Sequence, residues 1–225
     1  MSAHKLEVLD DVDAVHRRGA ALIAEHARAA VAERRACALA VSGGRDPWPM
    51  FSQLEDLEMD WTKTEIFQVD ERVAPAGSDE RNLTHLIESL SIGAQGSIRP
   101  MPVGDEDLEA AADRYAESLP EAIDLAHLGL GPDGHTASLV PGDAVLEVTD
   151  KRVAVTAGEY QGVRRMTLTY PELHRTRSLL WVVTGKEKVD ALRKLIDQDP
   201  STPSGRVQPG GESVILADRA AAPDA

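Results

Sequence analysis

The chain has 225 residues, 42% of them apolar but only 4% aromatic, and a formal net charge of −14. That length suits one α/β domain with a core of Val, Leu, Ile and Ala, while the charge argues against nucleic-acid and membrane-surface partners, whose binding draws on Lys and Arg. The single cysteine excludes an intrachain disulfide, and no apolar run approaches the ~18–20 residues of a membrane span or forms a signal-peptide pattern, so the expected compartment is the cytoplasm.

Residues 11–33 carry Val12, Val15, Leu22, Ile23, Ala27, Ala30 and Val31 at helical spacing. Residues 36–41 form a short continuous apolar run that stops at Ser42-Gly43-Gly44. This predicts a buried strand entering a glycine turn, with Cys37 as a core thiol. Pro47 and Pro49 follow, then a helix over about 50–57. Residues 64–69 read as a strand ending at Asp70-Glu71-Arg72, and 82–90 as a helix. Residues 106–119 put Leu108, Ala111, Ala112, Tyr115 and Leu119 on one helical face. A strand at 126–130 ends at Gly131-Pro132-Asp133-Gly134-His135. Further strands are expected at 152–156, 178–183 and 213–217. A helix over 186–197 has Val189, Leu192, Leu195 and Ile196 inside, and 219–225 reads as a frayed tail.

Strands alternating with helices predict a doubly wound, mostly parallel, Rossmann-like sheet with helices on both faces, built from one domain over 1–225. In such sheets ligands bind beyond the carboxyl ends of the strands. Four predicted strand ends deliver glycines and charged groups there: Ser42-Gly43-Gly44-Arg45, Asp70-Glu71-Arg72, Asp133-Gly134-His135 and Gly185-Lys186-Glu187-Lys188.

Each has a chemical and a plain reading. Gly43 and Gly44 can turn backbone N–H groups toward an anion, or simply turn the chain. Asp70-Glu71-Arg72 is either a surface turn with a local ion pair, or a place where Arg72, oriented by Asp70, steadies an anion. His135 is either a general base on a rigid loop or a histidine bonded to its own turn. His26, His85, His127 and His174 fall on predicted helices and strands and read as structural. The histidines are scattered and only one thiol exists, so no metal site is expected. No Gly-x-Ser-x-Gly elbow occurs, which argues against a serine nucleophile.

These stretches resemble the 6-phosphogluconolactonase family from Ala36 to about Ala220. Leu128-Gly129-Leu130-Gly131-Pro132-Asp133-Gly134-His135-Thr136-Ala137-Ser138-Leu139-Val140-Pro141-Gly142 is the most specific match. Gln68-Val69-Asp70-Glu71-Arg72-Val73 with Asn82, Arg165-Met166-Thr167-Leu168-Thr169, and Thr184-Gly185-Lys186-Glu187-Lys188 complete it.

The resemblance implies hydrolysis of 6-phospho-D-glucono-1,5-lactone to 6-phospho-D-gluconate in the oxidative pentose phosphate pathway. It also implies the fold of glucosamine-6-phosphate deaminase and ribose-5-phosphate isomerase, and no metal or organic cofactor. A monomer suffices for it. It places the catalytic histidine on His135 and an acid–arginine pair on Asp70 and Arg72. Substrate contacts fall on Ser42, Gly43, Gly44, Glu71, Asn82, Asp133 and Gly134, and phosphate-site bases on Arg165 and Lys188; Arg45 is added from its own charge as a direct phosphate contact. The family's usual Ser-Gly-Gly-Ser-Thr-Pro is here Ser42-Gly43-Gly44-Arg45-Asp46-Pro47, which exchanges two hydroxyls for an arginine and a carboxylate. Two rivals remain at this stage: a sugar-phosphate isomerase or deaminase of the same fold, and a non-catalytic sugar-phosphate sensor.

Overall fold

A computed structural model describes residues 4–44 and 47–222. The chain opens with β1 (Lys5–Leu9), α1 (Val12–Arg34) and β2 (Cys37–Val41). Next come α2 (Pro47–Ser52), β3 (Thr64–Gln68), β4 (Asp70–Arg72), α3 (Asn82–Ser89), α4 (Ile92–Gln95) and β5 (Ile98–Arg99). The second half holds α5 (Leu108–Ser118), β6 (Leu125–Gly129), β7 (Val153–Val155) and β8 (Arg165–Leu168). It ends with α6 (Tyr170–Arg175), β9 (Ser178–Val183), α7 (Val189–Ile196) and β10 (Glu212–Asp218).

Seven strands form a parallel sheet in the order β1-β10-β9-β6-β2-β3-β5. The chain winds outward from β2 through β3 to β5, and from β6 through β9 and β10 the other way. Strand order therefore reverses between β2 and β6, the crevice where ligands bind in open α/β sheets. The loops leaving these two strands begin at Ser42 and Leu130.

A second sheet, in the order β4-β8-β7, is antiparallel. It corrects two expectations. Residues 70–72 are neither a turn nor the end of a strand, but a strand in their own right. The strand expected at 152–156 forms, but in this second sheet. Val69 joins the two sheets: its N–H donates to the Val41 carbonyl at 2.9 Å, and its carbonyl accepts from the Leu168 N–H at 2.8 Å.

Local chemistry sets the helix ends. The Asp11 carboxylate accepts the Ala14 N–H at 2.8 Å and starts α1. Asp107 does the same for α5 through the Ala110 N–H, at 3.0 Å. α2 starts at Pro47, earlier than expected, because a helix's first turn needs no N–H from proline. Both sheet faces are covered. Trp181, Phe67, Leu128 and Met166 lie in one core cluster, and Ile23, Leu39, Met50 and Phe51 in the other. Trp181 is fully buried, and truncating such a side chain costs roughly 3–5 kcal/mol. Cys37 is buried as expected, and burial pushes its thiol up to about 12. The tail expected from Arg219 onward is held at its start. Ala221 is buried, and its N–H donates to the Asp218 carboxylate at 2.9 Å.

Candidate active site

A cavity of about 800 Å³ opens at the strand-order reversal. One side is the glycine turn after β2. A Cβ on Gly43 would sit 2.1 Å from Asn82 Oδ1, and Gly44 has φ +130°, so neither position accepts a side chain without strain. The Ser42 hydroxyl beside them is buried and has no hydrogen-bond partner. Arg45 and Asp46 lie outside the described residues.

The second sheet supplies a positive wall. Its register sets Arg72 directly opposite Arg165, and both line the cavity. Like charges paired across strands destabilise a sheet unless an anion separates them. Arg165 is only 4% exposed. Its nearest carboxylate oxygen, Asp70 Oδ2, is 4.0 Å away, and its Nε has no partner. Burial lowers the Arg165 pKa, with Asp70 opposing and Arg72 adding to that shift. Burial likewise raises Asp70 above the usual carboxylate range, against the hydroxyl of Ser138, which donates to Asp70 Oδ2 at 2.6 Å.

Asp70 and Arg72 therefore do not form the expected pair. Two residues apart on β4, they share a face, but their side chains take different partners. Arg72 Nη1 donates to the Glu80 carbonyl at 2.9 Å and to Asn82 Oδ1 at 3.1 Å, so Asn82 is what orients it.

The opposite wall is the loop after β6. The His135 carbonyl accepts the Gly131 N–H at 2.8 Å, and Gly134 adopts φ +82°. A Cβ on Gly131 would fall 2.0 Å from His135 Nδ1, so the ring packs where only glycine leaves room. His135 Nδ1 lies 2.5 Å from Asp133 Oδ1, which also accepts the His135 backbone N–H at 3.1 Å. Burial at Asp133 raises its pKa, but the hydrogen bonds from His135 and Tyr160 outweigh that and leave it lowered. The Asp133 carboxylate is thus held charged against Nδ1, and Nε2 is the ring nitrogen left for a ligand. Lys188 reaches the rim from a short 3₁₀ turn behind Gly185, whose φ is +93°.

Ser42, Gly43, Gly44, Asp70, Arg72, Asn82, His135, Arg165 and Lys188 all line this cavity. Glu71, Asp133 and Gly134 stand behind it instead. Glu71 is fully buried. Its oxygens accept the N–H groups of Arg72, Asn82 and Leu83, each at 2.8 Å, and the Gln68 amide at 2.9 Å. It holds the start of α3 and has no oxygen to spare for substrate. Gly134 packs under Thr202.

Two histidines taken as structural belong to the cavity. His85 is one helical turn beyond Asn82, with its ring 5.6 Å from that of Trp48. His127, on β6, sits under the glycine turn against Phe51, with Nδ1 buried and unpartnered. Tyr160 and Gln161 also line the cavity and were missed. Their signal was Gln161-Gly162, a two-residue hairpin turn just before Arg165. Among the described residues, no three His, Cys, Asp or Glu side chains are grouped to hold a metal ion. None of the described helices is long and apolar enough to cross a membrane.

Residues 10–216 match the family model described as glucosamine-6-phosphate isomerases/6-phosphogluconolactonase. The chain belongs to this family. Within the glucosamine-6-phosphate isomerase/6-phosphogluconolactonase family, it is 32% identical over 236 residues to a 6-phosphogluconolactonase of Synechocystis, covering 97% of each chain. It is 32% identical over 239 residues to one of Mycobacterium tuberculosis, covering 96% of each. The crystal structure of a 6-phosphogluconolactonase from Thermotoga maritima superposes with a TM-score of 0.86 at 26% identity, over 96% of this chain and 100% of that one. A monomeric glucosamine-6-phosphate deaminase superposes with a TM-score of 0.80 at 18% identity, over 96% of this chain and 98% of that one, which shows a shared fold.

Proposed function

We propose that the chain hydrolyses 6-phospho-D-glucono-1,5-lactone to 6-phospho-D-gluconate, the second step of the oxidative pentose phosphate pathway. One observation carries this. A carboxylate-braced imidazole and a buried, under-paired arginine line the same cavity, which has room for a hexose phosphate.

The Gly43–Gly44 amides, Arg165 and Lys188 hold the phosphate. That anchors the far end of the sugar and turns C1 toward His135. Neutral His135 takes a proton from water through Nε2, and the water oxygen attacks C1. Asp133 stabilises the imidazolium that forms. Arg72, aimed by Asn82, stabilises the tetrahedral oxyanion. The imidazolium then returns its proton to the ring oxygen as the C1–O bond breaks.

A deaminase on this fold draws on a further acid after the histidine. Here residues 136–141 contain no carboxylate, and Ser138 is spent on Asp70. The proposed chemistry calls for no residue of a second chain, and we propose that the enzyme works as a monomer in the cytoplasm. The test is proton release from freshly made lactone, with and without protein, corrected for spontaneous opening. Acceleration is expected. Tight binding of 6-phosphogluconate without acceleration would leave a sensor, and ammonia released from glucosamine 6-phosphate would favour the deaminase.

A further inference from the structure

The hairpin between β7 and β8 sets one side chain against both halves of the site. Gln161 and Gly162 have φ +56° and +84°, the left-handed pair that two-residue hairpin turns favour. The Tyr160 N–H closes the turn on the Val163 carbonyl at 3.0 Å. This places the Tyr160 ring edge-on to the His135 imidazole, with centroids 5.1 Å apart at 63°. The Tyr160 hydroxyl donates to Asp133 Oδ2 at 3.2 Å and lies 3.3 Å from His135 Nδ1. The Arg165 guanidinium carbon lies 5.1 Å from the centroid of the same ring. Arg165 Nη2 donates to the Tyr160 carbonyl at 3.3 Å and to Gln161 Oε1 at 3.2 Å.

The division of Asp133 between two donors matters. Oδ1 faces His135 Nδ1, and Oδ2 takes the tyrosine hydroxyl. With both oxygens engaged, the carboxylate cannot swing away and free the imidazole. A ring tied through Nδ1–H keeps Nε2 unprotonated and fixed in direction. Arg165 has the opposite need. Its one carboxylate neighbour is distant, so the tyrosine ring and carbonyl hold the guanidinium in place before any anion arrives.

We propose that Tyr160 is a positioning residue for both ends of the substrate: its hydroxyl fixes the orientation and tautomer of His135, and its ring and carbonyl seat Arg165. This role rests on His135 as base and Arg165 as phosphate anchor.

Two variants separate the arms. Tyr160→Phe removes only the hydroxyl. It should lower kcat by about 3- to 10-fold, as expected for one lost hydrogen bond, and leave KM unchanged within about twofold. In nitrogen-15 spectra of histidine-labelled protein at about pH 8, where imidazoles are neutral, wild-type His135 should show one fixed tautomer. In Tyr160→Phe its ring nitrogens should move toward the averaged values of a freely exchanging ring. Tyr160→Leu removes the ring as well and should add a rise in KM of about threefold or more as the cation–π contact is lost. Unmoved ring nitrogens in Tyr160→Phe overturn the His135 arm, whatever the rate. An unchanged KM in Tyr160→Leu overturns the Arg165 arm. The spectra need no turnover. If the wild type fails to open the lactone while the nitrogens still respond, the proposed reaction falls, and what stands is that Tyr160 sets the tautomer and orientation of the His135 ring.

Discussion

An imidazole with one nitrogen bound to a carboxylate is a directional base, and His135 is held that way before substrate arrives. Replacing it with Ala should lower kcat by ~10²–10⁴-fold, the usual contribution of a positioned base. Binding of 6-phosphogluconate should survive, since the phosphate contacts lie elsewhere. Stopped-flow proton release against a calorimetric titration separates the two, and near-full turnover would remove His135 from this role. His127 makes a different prediction. Burial drives its imidazole down to about 3, against ~6.5 in an unfolded chain. Between those values the unfolded chain binds a proton that the folded one refuses. Stability then rises with pH by up to ~1.4 kcal/mol per unit. The contribution is full above about pH 6.5 and is lost as pH falls toward 3. Urea unfolding at pH 7 and pH 5 should show the wild type losing about 2 kcal/mol more than His127→Leu. Parallel losses would mean that His127 is not held neutral. At this scale the sequence made His135 legible, because turn-formers crowd a histidine just past a strand. It hid His127, because a polar residue inside an apolar strand looks the same whether its ring meets a neighbour or a cavity.

At the scale of elements, the site depends on how β4 and α3 are tied together, and Glu71 is the tie. Four hydrogen bonds converge on its carboxylate, and buried Arg81 lies 3.2 Å from Oε2. Glu71→Ala would strand that guanidinium and leave several N–H groups unmet, a loss of roughly 3–5 kcal/mol by analogy with broken buried ion pairs. Thermal unfolding should register it directly. Catalysis should also suffer at temperatures where the fold persists, because Asn82 and Arg72 lose their reference point; a variant of unaltered stability would contradict this role. The family resemblance puts this carboxylate at the substrate, within the charged run Asp70-Glu71-Arg72. Side-chain alternation along β4 turns the middle residue to the other face. The helices with acidic caps were legible because their signals are local. The second sheet was not. Its strands have three or four residues each, too short for a two-residue period to stand out, and β8 pairs with β4 across more than ninety positions of chain. β1 was missed for another reason: as an edge strand it leaves Leu6 and Val8 exposed, so no clear buried face marks it.

The whole molecule sets a problem for its own substrate. A phosphorylated sugar is anionic, and the protein carries 38 acidic against 24 basic residues. The carboxyl edge of the parallel sheet, foreseeable from the alternation of elements, carries Lys188, and the second sheet, which was not, adds Arg72 and Arg165 to the same cavity. Their pull is short-ranged, and Asp79 and Glu187 share the same rim. The repulsion from the rest of the surface reaches further, and its range depends on salt. The screening length is about 30 Å at 10 mM ionic strength and about 8 Å at 150 mM. Adding salt over that interval should therefore weaken the long-range repulsion more than the contacts at buried Arg165. We expect kcat/KM to rise by about two- to fivefold between those ionic strengths, with kcat unchanged, because the contacts made once substrate is bound are shorter than the screening length at either salt. Rates measured with a neutral, dephosphorylated lactone should show no such rise. A steady fall of kcat/KM with salt would mean that the cavity's cations dominate capture at every distance, and the net charge would then have no part in setting the rate.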